Sequence, residues 1–79
     1  MENYVYILRC ADDSLYTGWT NNLEERVRAH NNGTASKCTR ARLPVELVYS
    51  EACENKSAAL RREIEIKKMG KRAKERLIG

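Results

Sequence analysis

Length, composition and charge limit this chain to one small basic domain. It has 79 residues, of which 42% are hydrophobic and 33% are charged, with four glycines and one proline. This balance excludes a disordered or fibrous chain, and the length allows a single domain, residues 1–79, with one two-layer core. The longest apolar run, residues 4–8, is far too short to span a membrane. The polar start is unlike a signal peptide, so we expect a cytoplasmic protein without membrane contact.

The formal net charge of +4 is concentrated near the C-terminus. Residues 61–76 contain eight basic and three acidic side chains, a balance of +5, whereas residues 1–60 carry a balance of −1. Such a segment is either a solvated helical face or a surface that contacts phosphates. Both interpretations remain open from the sequence.

The N-terminal third of the chain predicts a β-hairpin. Residues 4–10 and 15–20 are rich in β-branched and aromatic side chains, and a short polar segment separates them. If the connecting loop has three residues, Tyr6 pairs with Thr20 and lies on the same side of the sheet as Tyr16. A four-residue loop would place the two tyrosines on opposite sides.

Capping residues and hydrophobic periodicity predict the other elements. They are a helix over 22–31, a loop over 33–43, a strand over 44–50 that begins with Pro44, and helices over 56–69 and 71–78. In the 56–69 helix the expected apolar stripe is Ala59, Leu60, Ile64, Ile66 and Met69. Gly70 is expected to cap its C-terminus. The order ββαβαα predicts an α+β domain with a small three-stranded antiparallel sheet flanked by helices.

Three polar residues lie where the helical pattern favours burial. Glu63 adjoins the apolar stripe, so its carboxylate either binds a cation or reaches solvent or an arginine at the edge of the stripe. Arg26 and His30 are four residues apart and share one helix face, where they can meet over the sheet. A surface ion pair and an ordinary helix-end histidine are the structural alternatives.

Four segments, in this order, resemble the GIY-YIG nuclease superfamily, in particular its small stand-alone bacterial members of uncharacterised function. The segments are Tyr4-Val5-Tyr6, Tyr16-Thr17-Gly18, residues 22–30 and residues 59–63. The first triplet departs from the family pattern, because Tyr4 replaces its glycine. Trp19 follows the second triplet where small or basic residues are common.

The resemblance implies a set of site residues and a cofactor. Tyr6, Tyr16, Arg26 and His30 would be catalytic, with a tyrosine acting as or through a general base and Arg26 stabilising charge on a phosphate. Glu63 would hold one divalent cation, Mg²⁺ or Mn²⁺, and Gly18 would let the substrate backbone approach. From the charge pattern, the candidate nucleic-acid contacts are Lys37, Arg40, Arg42, Lys67, Lys68, Lys71 and Arg72.

The function expected from this resemblance is metal-dependent hydrolysis of DNA phosphodiester bonds, with branched or distorted DNA as the substrate. Family members that cut specific DNA carry extra binding domains, so a protein partner that supplies targeting is compatible with this expectation. Two alternatives use the same fold without catalysis: a module that binds nucleic acid, and a small protein-interaction domain. The sequence determines neither whether the substrate is DNA or RNA nor the oligomeric state of the protein.

Overall fold

The most apolar segment of the chain forms the centre of the sheet. In the computed structural model, which describes residues 2–79, β1 lies between β2 and β3 and pairs antiparallel with both. The elements are β1 (Asn3–Arg9), β2 (Leu15–Thr20), α1 (Leu23–Asn31), α2 (Lys37–Arg40), β3 (Glu46–Cys53), α3 (Lys56–Lys67) and α4 (Lys71–Ile78). The α+β class and the three-stranded antiparallel sheet are therefore confirmed.

Side chains alternate along β1 and supply a core on each face of the sheet. On one face, Val5 and Ile7 pack with Ala59 and Ile66 of α3, and α4 contributes apolar side chains at the margin. On the other face, Tyr6 and its neighbours in β1 pack against the apolar side of α1. The sheet thus separates an α1 layer from an α3 layer.

The hairpin differs from the predicted register by two residues. Arg9 pairs with Leu15, and Tyr6 pairs with Gly18 rather than Thr20. A turn at Asp13, which has a φ of 70°, closes the loop. A shift of two residues keeps every side chain on its face, so Tyr6 and Tyr16 do share one side. The true register places Tyr6 directly opposite a glycine.

The third strand begins later than predicted and runs further. Pro44 and Val45 lie outside it, because the Asn31 side chain takes over the hydrogen bonds of Val45. Its amide accepts from the Val45 N–H at 2.9 Å and donates to the Val45 carbonyl at 3.2 Å. At its other end β3 extends to Cys53, which pairs with Asn3.

Three details of the helical regions correct the prediction. The predicted loop over 33–43 contains the short helix α2, whose N-cap Ser36 accepts from the Cys38 N–H. Ile64 is not part of the buried stripe, because its side chain is 52% exposed. Gly70 is the N-cap of α4, with a φ of −71°, and α3 ends at Lys67. Within residues 2–79, no helix has the length and apolar character needed to cross a membrane.

Candidate active site

Helix α1 places Arg26 and His30 above Tyr6 of β1. The Asn22 side chain accepts from the Glu25 N–H and starts the helix directly after β2. Arg26 and His30 then lie one turn apart on the side that faces the sheet. Arg26 Nε donates to the Tyr6 hydroxyl at 3.4 Å, and His30 Nε2 lies 2.9 Å from the same oxygen. The predicted meeting of these two side chains over the sheet is confirmed.

Tyr6 and His30 are both fully buried, with no exposed surface. Tyr16, which is partly exposed, packs edge-on against the His30 ring with their centroids 5.1 Å apart. The Tyr6 and His30 rings meet in the same edge-on way at 5.9 Å. His30 is therefore the centre of an aromatic cluster with both tyrosines.

Gly18 makes room for this cluster. A Cβ at this position would lie 2.6 Å from the Tyr6 hydroxyl oxygen and 3.2 Å from Tyr16 Cε2. The missing side chain is thus required by the protein's own tyrosine, which gives a structural reason for the glycine. Its role in the approach of substrate remains a prediction.

Burial controls the protonation of the two buried rings. Burial raises the pKa of Tyr6, and the neighbouring Arg26 opposes this rise without cancelling it. The pKa of His30 is lowered, first by burial and then by the positive charge of Arg26. At neutral pH the pair is therefore a phenol and a neutral imidazole. Arg26 alone does not convert Tyr6 to a phenolate.

Glu63 lies in the opposite layer and influences the site through its charge. It lies on α3, its side chain is only 15% exposed, and its carboxylate is 3.6 Å from Lys67 Nζ. Its negative charge is among the causes that raise the pKa of Tyr6, so it lies within electrostatic range of the cluster. Within residues 2–79, Glu63 makes no hydrogen bond to Tyr6, Tyr16 or Arg26.

The chemistry of Glu63 fits a hard cation bound together with substrate. No group of three or more metal-ligating side chains occurs in the part of the chain that the structure describes. One carboxylate is enough for Mg²⁺ when water and substrate phosphates supply the other ligands. Lys67 then has to share or release the carboxylate.

An open polar groove of about 240 Å³ lies beside the cluster. It follows the end of β2 and the first turns of α1, and Arg26 lines it together with Thr20 and Asn22. Arg26 therefore contacts the buried tyrosine on one side and the groove on the other. It is the residue that connects the buried cluster with the surface.

The predicted nucleic-acid contacts fall into two groups. Three of them are partnered by acids: Arg42 with Asp12, Lys67 with Glu63, and Lys71 with Asp13. The other four are exposed and have no acidic group within 4.0 Å among residues 2–79. They are Lys37, Arg40, Lys68 and Arg72.

The prediction from sequence missed Thr39. This residue of α2 is 1% exposed, and its hydroxyl oxygen lies 2.8 Å from His30 Nδ1. A single helical turn has too few residues to show a hydrophobic period, and a threonine in a polar segment gives no signal of burial. The capping serine at position 36 was the one available indication of a helix here.

Fold and site together define a class of protein: small α+β domains in which paired tyrosines and an arginine meet over one face of a three-stranded sheet, with a carboxylate on a helix of the other layer. The sequence profile of the GIY-YIG catalytic domain matches residues 2–76. The chain therefore belongs to the GIY-YIG family.

Within that family, its relatives include UPF0213 proteins. A UPF0213 protein of Clostridium perfringens is 62% identical over 76 residues, which cover 96% of this chain and 82% of the relative. One from Natronomonas pharaonis is 53% identical, covering 98% of this chain and 91% of the relative. The solution NMR structure of a UPF0213 protein from Bacillus halodurans superposes with a TM-score of 0.63 at 44% identity, covering 99% of this chain and 83% of that one.

Proposed function

We propose that this protein is a metal-dependent endonuclease that hydrolyses DNA phosphodiester bonds. The observation that carries the proposal is the convergence of Arg26 and His30 on the Tyr6 hydroxyl, with Tyr16 packed on the same histidine. Hydrolysis of a phosphodiester requires a positioned nucleophile and neutralisation of charge on the phosphoryl oxygens. In this cluster a tyrosine can position the nucleophile, and Arg26 can neutralise the charge.

The difference in exposure divides the roles of the two tyrosines. Tyr6 is fully buried, so substrate cannot reach it without a rearrangement. Tyr16 is partly exposed, and we assign to it the contact with the attacking water. Tyr6 and His30 then act as positioning residues, because they hold the Tyr16 ring and the Arg26 guanidinium in place. Arg26, which lines the open groove, would stabilise charge on the phosphate.

Glu63 would hold the divalent cation. Mg²⁺ or Mn²⁺ bound there would neutralise phosphate charge and lower the pKa of a coordinated water. The ion pair with Lys67 supplies a positive charge to the same carboxylate when no cation is bound.

The exposed basic residues support DNA of distinctive shape as the substrate. Lys37, Arg40, Lys68 and Arg72 are suited to phosphate contacts, which carry no base sequence information. Discrimination by such contacts depends on the path of the backbone. A branched or distorted duplex is therefore the substrate that we propose.

Cleavage assays with a matched pair of variants test the proposal. Purified protein is incubated with linear duplex, supercoiled plasmid and a four-way junction, with Mg²⁺, Mn²⁺ or EDTA. Glu63→Gln should abolish metal-dependent cleavage. Glu65→Gln, an exposed carboxylate on the same helix, should leave cleavage close to wild type. Both variants should still shift DNA in a mobility assay, since neither loses a positive charge. Equal cleavage by the wild type and Glu63→Gln would refute the role of Glu63.

A binding module without catalysis is the second candidate, and the buried phenol of Tyr6 favours it. A fully buried tyrosine with a raised pKa is a poor base. If the wild type binds DNA but cuts none of the three substrates with either metal, this candidate replaces the first.

A further inference from the structure

His30 has a buried partner on each of its ring nitrogens. Nε2 lies 2.9 Å from the Tyr6 hydroxyl, and Nδ1 lies 2.8 Å from the hydroxyl of Thr39. All three residues are buried, so the protein itself has to satisfy these groups. A neutral imidazole carries one proton, and its position decides the direction of both hydrogen bonds.

The neighbouring groups determine that direction. The Thr39 hydroxyl donates to the Ser36 carbonyl at 3.3 Å, which leaves its oxygen free to accept from His30 Nδ1–H. His30 Nε2 is then unprotonated and accepts the hydroxyl proton of Tyr6. With Nε2 protonated instead, the Tyr6 hydroxyl oxygen would accept hydrogen bonds from both His30 Nε2–H and Arg26 Nε–H. Its own proton would then have no acceptor among the described residues.

We propose that Thr39 is a positioning residue, which holds His30 in the Nδ1–H tautomer and thereby orients the Tyr6 hydroxyl and Arg26. The hydrogen bonds run in one direction. Arg26 Nε donates to Tyr6, Tyr6 donates to His30, His30 donates to Thr39, and Thr39 donates to Ser36. Each donor satisfies the next acceptor, so the short helix α2 sets the geometry of Arg26 from the far end of this chain of bonds. The catalytic consequence rests on the proposed endonuclease function, but the tautomer does not.

The protein is well suited to a direct test, because His30 is its only histidine. Long-range ¹H–¹⁵N NMR of the full, ¹⁵N-labelled chain distinguishes a protonated from an unprotonated ring nitrogen without assignment ambiguity. We expect the wild type to be protonated at Nδ1 and unprotonated at Nε2 near neutral pH. A wild-type protein protonated at Nε2 would overturn the proposal, and this measurement requires no variant.

Three substitutions extend the test. Thr39→Val removes the acceptor for Nδ1–H while keeping the side-chain shape, so the tautomer should shift toward Nε2–H. Thr39→Ser keeps the hydroxyl, so its His30 ring nitrogens should give the same signals as in the wild type. Thr17→Val, the same exchange at a buried threonine on the other face of the sheet, should leave the His30 signals unchanged. An unchanged tautomer in folded Thr39→Val would contradict the proposal.

Cleavage provides the second readout. Thr39→Val should lower kcat about tenfold, since the net worth of one hydrogen bond corresponds to roughly that factor, and Thr39→Ser should recover most of it. If the wild type does not cleave DNA, the proposed function fails while the tautomer result still decides the role of Thr39. If cleavage by Thr39→Val equals that of the wild type, the positioning role is refuted even when the endonuclease activity is established.

Discussion

Replacing Gly18 by alanine should destabilise the protein and disorganise the candidate site. The added Cβ would lie 2.6 Å from the Tyr6 hydroxyl oxygen and 2.8 Å from its Cζ, distances that real Cβ contacts do not show. Tyr6 is fully buried, and moving its ring would break the 2.9 Å contact with His30. The clash therefore cannot be relieved by a flexible surface side chain.

The expected loss of stability follows from three effects. Overpacking of a rigid core costs about 1–3 kcal/mol. Losing the hydrogen bond between Tyr6 and His30 adds about 1 kcal/mol. Alanine also restricts the unfolded chain, which offsets about 0.4–1 kcal/mol. We expect a net loss of about 1–3.5 kcal/mol. With an m-value of about 1 kcal/mol per M, the low end of the range for small proteins, this lowers the urea midpoint by roughly 1–3.5 M.

Gly70→Ala is the matched control for this experiment. A Cβ at position 70 would meet nothing within 4 Å, and the φ of −71° there suits any residue. Stiffening of the unfolded chain and a weaker N-cap oppose each other, so the change should stay within about 0.5 kcal/mol. Urea unfolding followed by circular dichroism measures both variants. If Gly18→Ala proves as stable as Gly70→Ala, the inference that Tyr6 occupies the space over Gly18 is wrong.

Three further predictions concern stability, pH and DNA binding. Thr17→Val should stabilise the protein by about 1 kcal/mol, because the buried Thr17 hydroxyl has no hydrogen-bond partner among residues 2–79. Thr39→Val should destabilise it by about 1–3 kcal/mol, because it leaves a buried hydrogen-bonding group of His30 without its partner. Urea midpoints of the two variants that shift in the same direction would contradict this prediction. Burial lowers the pKa of His30, so the unfolded chain binds its proton more readily, and stability should be complete above the ordinary pKa of about 6.5 and decline as the pH falls below it. His30→Gln should flatten that decline in urea midpoints between about pH 8 and pH 5, and an equally steep curve in the variant would assign it to other groups. Changing Lys37 and Arg40 to alanine should reduce the log–log salt slope of duplex DNA binding by about 1.8, if each contacts one phosphate, and an unchanged slope would exclude α2 from the interface.

The strong local signals made most of the fold predictable from sequence. Asn22 does cap α1, and the segment over 71–78 forms the expected helix. The third strand was less predictable, because its start depends on the Asn31 side chain, 14 residues earlier in the sequence. No local pattern shows that a side-chain amide will take the hydrogen bonds of Val45.

The members of the site were more predictable than its geometry. The family resemblance named Tyr6, Arg26 and His30, and helical spacing placed Arg26 and His30 on one face. The sequence does not determine the hairpin register, because side chains alternate between the two faces of a strand and a shift of two residues leaves each side chain on the same face. That shift decides which residue lies opposite Tyr6, and only a glycine there leaves space for its ring.

The polar character of the α1 layer is itself an argument for function. A layer that served stability alone would be mostly apolar, as on the opposite face, where Val5 and Ile7 meet Ala59 and Ile66 and Thr17 is the buried polar exception. The α1 layer instead buries the hydroxyl of Tyr6 and the imidazole of His30, together with the hydroxyl of Thr39. Such a network specifies one geometry only when each member is satisfied, and here the bonds run without interruption from Arg26 to Ser36. The end of this series that faces the open groove is a guanidinium, a group suited to phosphate. The polar network therefore fixes the position of that one side chain, and this is the feature of the α1 layer that the proposed function uses.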